Sequence, residues 1–187
     1  MRVTKEDLVA MAIAQLGITP SKFPETTRTP YRIIKMWKEF FRCVDCEFSD
    51  FHLSPNDRGY NEIIGFHEIE YTSICAHHFL PFTGTAHVLY IPDETFIGAS
   101  KPSRIVEHYS KRPQLQESLC QDIIDSFVGG VQPLGVMVVL FGQHDCMRCR
   151  GVEQRRAVMS TAAVSGVFLD EKDKEDKGYK LIELARR

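Results

Sequence analysis

Two short clusters constrain this chain more than any other feature: Cys75-Ala76-His77-His78 and, far downstream, His144-Asp145-Cys146. Thiolate and imidazole are donors that zinc prefers. A cysteine three residues before a histidine lets both side chains reach one ion from a single turn, and a distant cysteine closes the site. A fold that uses this set must therefore bring the two stretches to one point. Cys75, His78 and Cys146 would supply three ligands and leave a fourth tetrahedral position for water, the arrangement of a catalytic centre. His77 and His144 would stand beside it as proton carriers. A zinc hydrolase is the first expectation.

The competing arrangement is a closed structural zinc built from Cys43-x-x-Cys46 and Cys146-x-x-Cys149. It lacks a glycine-bearing knuckle after Cys43 and leaves Cys75, His77 and His78 idle, so the open site is favoured. Cys43, Cys46 and Cys120 then read as ordinary buried or half-buried thiols. His52, His67, His87 and His108 have no metal-like spacing and read as surface or satisfied core histidines.

Composition narrows the function classes. Hydrophobic residues make up 43% of 187 residues and the formal charge is −2, which points away from disorder and from bulk nucleic-acid affinity. An anionic ligand must be held by a local cluster of Lys and Arg. No apolar run approaches the roughly 20 residues that span a membrane, and the first residues lack a secretory pattern. A cytoplasmic, reducing setting is expected, where six cysteines favour metal or catalysis over disulfides.

Along the chain, Thr4 and Asp7 mark a helix start, with Leu8, Ala12 and Leu16 at helical spacing and Gly17 as the stop. Thr29 as N-cap and Pro30 at the first helical position open a second helix. Its apolar face is Ile33, Ile34, Trp37, Phe40 and Phe41, and Arg32 and Lys35 lie off that face. Strand patterns run over 63–74, 84–91 and 136–141. Ser100-Lys101-Pro102 opens a helix carrying Arg104, Ile105, Val106 and Tyr109. Pro113 opens another, with Leu115, Leu119, Ile123 and Phe127 on one face. Gln116 falls inside that apolar arc and Glu117 at its edge, so both need polar partners: a helix-start hydrogen bond or a lined pocket. A last strand pair is expected over 152–168, a solvated loop over 170–177, and a short helix from Tyr179 to Ala185. Strands and helices in this order favour an α+β fold. Lys35, Lys101, Arg104 and Arg150 together could neutralise a triphosphate, helped by the helix N-terminus near Ser100.

Several motifs in order resemble GTP cyclohydrolase I: Cys75-Ala76-His77-His78-Phe79-Leu80-Pro81-Phe82, Ile97-Gly98-Ala99-Ser100-Lys101, Arg104-Ile105-Val106, and Arg112-Pro113-Gln114-Leu115-Gln116-Glu117. His144-Asp145-Cys146-Met147, Arg150-Gly151-Val152, Ser160-Thr161 and Gly166-Val167-Phe168 continue the match. The resemblance implies the tunnelling fold (T-fold), a four-stranded antiparallel sheet backed by two antiparallel helices. It implies a helical arm over 1–60 and a catalytic domain over 61–187. It also implies a homodecamer of two pentamers, with active sites at subunit interfaces.

The reaction it implies is hydrolysis and rearrangement of GTP to 7,8-dihydroneopterin triphosphate and formate, feeding a folate, pterin or deazaguanine pathway. Carried over by position, Cys75, His78 and Cys146 bind Zn2+. His144 passes protons to the ring nitrogens, and His77 and Ser100 serve ribose opening and rearrangement. Gln116 and Glu117 read the guanine edge. Lys35, Lys101, Arg104, Arg150 and, less strongly, Arg32 contact the triphosphate. Two departures stand out. Ala76 replaces the family's glutamate, whose loss can cost roughly 10–100-fold in activity, and Cys149 adds a spare thiol. Two alternatives follow: turnover of a related purine nucleotide such as dGTP, or a catalytically silent nucleotide-binding scaffold.

Overall fold

A computed structural model describes residues 2–186. They fall into two compact units, 2–42 and 43–186.

The first unit holds helices α1 (Lys5–Gln15) and α2 (Thr29–Phe40), which pack on each other. Thr4 caps α1 as read from the sequence, and Asp7 answers with a bond to the Thr4 backbone at 2.9 Å, a capping box. Thr29 is not the cap of α2. A 3-10 turn over Pro24–Arg28 leads straight into the helix, so Thr29 already has helical φ/ψ and Arg28 precedes it.

The second unit is α+β. Its strands are β1 (Leu53–Pro55), β2 (Ile64–Cys75), β3 (Pro81–Ile91), β4 (Thr95–Ile97), β5 (Pro113–Gln114), β6 (Gly135–His144) and β7 (Met159–Gly166). Its helices are α3 (Lys101–Ser110), α4 (Gln116–Val131), α5 (Asp145–Arg148), α6 (Val167–Asp170) and α7 (Lys172–Ala185). The main sheet has the order β5-β2-β3-β6-β7, antiparallel apart from the two-residue β5, and β1 pairs with β4 separately. Helices α3 and α4 back one face of the four long strands, the architecture that the resemblance implies.

Period-two alternation explains this layering. Val136, Val138 and Leu140 of β6 face α3 and α4, where they meet Ile105, Leu119, Ile123 and Phe127. Met137 and Val139 point the other way, onto Phe168 and Ile182. Both faces are covered, so β6 reads as a continuous apolar run. In β2 a register shift between Phe66 and Ile69 moves the helix-facing positions from even to odd numbers. The bulge thereby brings Tyr71 and Cys75 to the same face as Phe66.

Three expectations need correction. Pro113 does not open α4: Pro113 and Gln114 pair with Ile74 and Cys75 of β2, and the helix starts at Gln116. The last strand pair is one strand, β7, whose partner is β6; residues 151–156 are exposed and supply no apolar face. The charged stretch 170–177 is largely helical. Lys172 bridges Glu175 at 2.7 Å and Asp176 at 3.5 Å along one helix face, while Ile182 anchors α7 on the sheet. Among the described residues no helix is long and apolar enough to cross a membrane.

Candidate active site

The turn between β2 and β3 builds half of the metal cluster. The Cys75 carbonyl accepts from the amides of His78 (3.3 Å) and Phe79 (2.9 Å), and the Cys75 amide donates to Leu80 O at 2.9 Å. Phe79 takes a left-handed conformation, φ 53°, to close this turn. Cys75 Sγ and His78 Nδ1 then lie 3.9 Å apart. The other half comes from α5, which follows β6 directly and places Cys146 Sγ 3.9 Å from Cys75 Sγ. Tetrahedral zinc geometry separates two sulfurs by about 3.8 Å and a sulfur from a nitrogen by about 3.6 Å. Two thiols and an imidazole, all within 4.8 Å of one another, fit a zinc-like divalent cation. Burial and then the adjacent Cys75 thiol push the Cys146 thiol up, and Arg150 opposes the rise.

His144 ends β6 opposite Phe82 of β3, and the two rings stack at 4.5 Å and 2°. Its Nε2 meets Gln116 Oε1 at 3.0 Å. The amide orientation follows from its other end: Gln116 Nε2 lies 3.3 Å from Leu140 O, 3.1 Å from Met159 O and 3.2 Å from Thr161 Oγ1. Carbonyls only accept, so the amide nitrogen must face them and the amide oxygen must face His144. His144 Nε2 therefore carries the proton, and Nδ1 is the basic nitrogen. Burial holds the His144 pKa below its ordinary value, with Glu117 raising it in opposition. The imidazole is thus neutral at pH 7. Gly142 makes room for this network, since a Cβ there would meet Gln116 Oε1 at 2.2 Å and Tyr71 Oη at 2.8 Å.

The remaining sequence-predicted residues divide by position. His77 is exposed in the metal-binding turn, its ring 6.1 Å from that of His78. Glu117 and Arg150 are exposed and act electrostatically on His144 and Cys146. Ser100, Lys101 and Arg104 belong to the opposite end of the sheet. Tyr90 Oη, at that end, accepts from the amide of Ile97 at 3.4 Å, and the eight residue steps from Phe82 to Tyr90 span roughly 27 Å. There Lys101 and Arg104 both pair with Asp50. Arg32 and Lys35 are exposed on α2 of the first unit.

The closed four-cysteine alternative is not what forms. Cys146 joins Cys75 and His78, whereas Cys43 and Cys46 gather around His108. Cys149 is exposed and donates to Asp145 O at 2.9 Å, apart from the metal cluster. Cys120 is the buried thiol expected, its pKa pushed up to about 11 by burial.

Comparison with known proteins gives the family. The family described as GTP cyclohydrolase I matches residues 5–183. The chain belongs to the GTP cyclohydrolase I family. A GTP cyclohydrolase 1 of Leifsonia xyli subsp. xyli is 37% identical over 171 residues, covering 90% of this chain and 89% of its own. One of Aquifex aeolicus is 36% identical over 185 residues, covering 97% and 98%. An apo archaeosine synthase QueF-like structure aligns at TM-score 0.47 and 19% identity, over 56% of this chain and 94% of its own.

Within this GTP cyclohydrolase I family member, sequence reasoning missed three parts of the site. Phe82 under His144 was legible only once β3 and β6 were in register. Gly142 carries no signal until Gln116 is placed above it. Asp50, the anion that holds Lys101 and Arg104, lies in a stretch without periodicity.

Proposed function

We propose that this protein is a zinc-dependent GTP cyclohydrolase I that converts GTP to 7,8-dihydroneopterin triphosphate and formate. The observation that carries the reading is the Cys75–His78–Cys146 triangle with a neutral His144 held beside it, in a member of this family. A zinc ion on those three ligands supplies an activated water at neutral pH.

The protein's own residues do the rest. Gln116 fixes the His144 tautomer so that Nδ1 can take a proton and return it, the task of a general base and then acid. Phe82 holds the ring plane. The exposed Glu117 carboxylate accepts two N–H bonds from the guanine edge. Gln116 has its amide committed to His144 and to backbone carbonyls, so it acts by positioning and not by reading the base. His77 and Ser100 serve the ribose steps, and Lys35, Lys101, Arg104, Arg150 and Arg32 neutralise the triphosphate.

Ser100, Lys101 and Arg104 lie at the far end of the sheet from the metal ligands of their own chain. One substrate can touch both groups only if a second copy brings its far end to this site. The edge of β7 and that of β2 ahead of its short pairing with β5 suit such a union of sheets. A decamer of two pentamers with interfacial sites is the assembly proposed, acting in the cytoplasm.

The test is to incubate zinc-loaded protein with GTP and with dGTP and follow formate and pterin by mass spectrometry. Formate with dihydroneopterin triphosphate is the expected result. Intact GTP with zinc confirmed bound would overturn the reading, and turnover of dGTP alone would redirect it to the deoxynucleotide.

A further inference from the structure

Cys43, Cys46 and His108 form a second cluster whose ligand atoms lie within 4.8 Å of one another. Cys43-x-x-Cys46 spans the start of the second unit, and His108 sits in the last turn of α3. The approach is held by independent contacts. The Cys43 amide donates to Lys111 O at 3.2 Å, and His108 Nε2 lies 3.0 Å from Cys46 O and 4.0 Å from Cys46 Sγ. Phe48 and Tyr109 pack edge-on against the His108 ring at 5.7 and 5.0 Å, which fixes its orientation. Tyr109 in turn donates to Glu47 at 2.8 Å.

We infer that Cys43, Cys46 and His108 form a second, structural site for a zinc-like divalent cation, separate from the catalytic cluster. Two thiolates from a C-x-x-C bite and one imidazole are a borderline-soft donor set that suits zinc over magnesium or calcium. The sulfur-to-nitrogen distance needs to close by only a few tenths of an ångström to reach about 3.6 Å. Cys46 is exposed, so solvent supplies the fourth position. Binding releases the two thiol protons to solvent, while the His108 proton moves from Nε2 to Nδ1, so that neutral Nε2 exchanges its contact with Cys46 O for the ion. The ion would clamp residues 43–52 onto α3, the segment whose Asp50 holds Lys101 and Arg104.

The experiment counts zinc per full-length chain after gel filtration in buffer with a weak chelator. Wild type is expected to hold two ions, Cys43→Ser/Cys46→Ser one, Cys75→Ser one, and the three substitutions combined none. His108→Asn should raise the dissociation constant of the second ion by roughly 100-fold. Should the double variant fail to fold, thiol alkylation of wild type decides the matter: zinc must protect Cys43 and Cys46 even when Cys75→Ser has emptied the catalytic site. One ion in wild type, unchanged by Cys43→Ser/Cys46→Ser, would overturn the inference. So would a Cys43–Cys46 disulfide that persists in zinc and mild reductant. Loss at Cys75 alone bears on the catalytic reading, so the two proposals fail separately.

Discussion

His144 donates its Nε2 proton to Gln116 Oε1 across 3.0 Å, and the buried amide is locked by the backbone carbonyls of Leu140 and Met159. In the proposed mechanism Gln116, a base reader by family resemblance, acts instead as a tautomer selector. Gln116→Met should lower kcat about 10–100-fold, the worth of a hydrogen bond to a group that becomes charged. The KM for GTP should hardly move. Gly142→Ala should mimic it, because the new Cβ would collide with the same amide oxygen. A rise in KM with kcat intact would return Gln116 to direct contact with the base.

His144→Asn keeps all three metal ligands and removes the proton carrier. Turnover should fall by about 10²–10⁴-fold while zinc content at the catalytic site is unchanged. Cys75→Ser should lose both that ion and activity. Measuring metal and formate on the same preparations separates the two roles, and full activity in metal-free Cys75→Ser protein would sink the zinc mechanism.

Acid should destabilise the fold through His87. The side chain is fully buried, with Nδ1 3.2 Å from His67 Nδ1 and Nε2 3.2 Å from Glu68 Oε1. Burial holds its pKa below the ordinary value although Glu68 pulls upward, and His67 shifts the same way. Between the lowered native pKa and the unfolded value of about 6.5, only the unfolded chain binds the proton. Stability is therefore fully present above that unfolded value and drains away as pH falls through the native one. Thermal midpoints should drop with pH in this window, less steeply in His87→Gln. Parallel curves for the two proteins would refute this.

Lys101 is almost entirely buried and its charge is met by Asp50, whose pKa is lowered chiefly by the Lys101 hydrogen bond. Asp50→Ala strands that cation. Because Asp50 itself is half exposed, the loss of stability should fall well short of that for a fully buried pair. The same change frees Lys101 and Arg104 for an anion, so KM for GTP should fall even as the melting point drops. An increased KM would mean that Asp50 aims the two cations and does not compete for them.

Much of this was legible in the chain itself. The Cys75–His78 bite is local, because three residues of separation put both donors on one turn whatever lies around them. The alternation of β6 and the apolar faces of α3 and α4 are likewise short-range consequences of the strand and helix periods. The bounds of α7 were not legible. Its first turns are charged and acquire a fixed conformation only from ion pairs and from Ile182 docking on the sheet.

Tertiary structure decided everything that depends on register. Cys146 reaches Cys75 because β3 and β6 pair with Phe82 opposite His144. A one-residue slip would turn His144 to the other face. It also decided that His108, unremarkable in sequence, meets Cys43 and Cys46, and that Ser100 lies a sheet's length from the metal ligands of its own chain. The sequence by itself determined which donors and which periods were present. Which of them share a site is a matter of long-range pairing, where contacts between distant residues choose among arrangements that local propensity leaves equal.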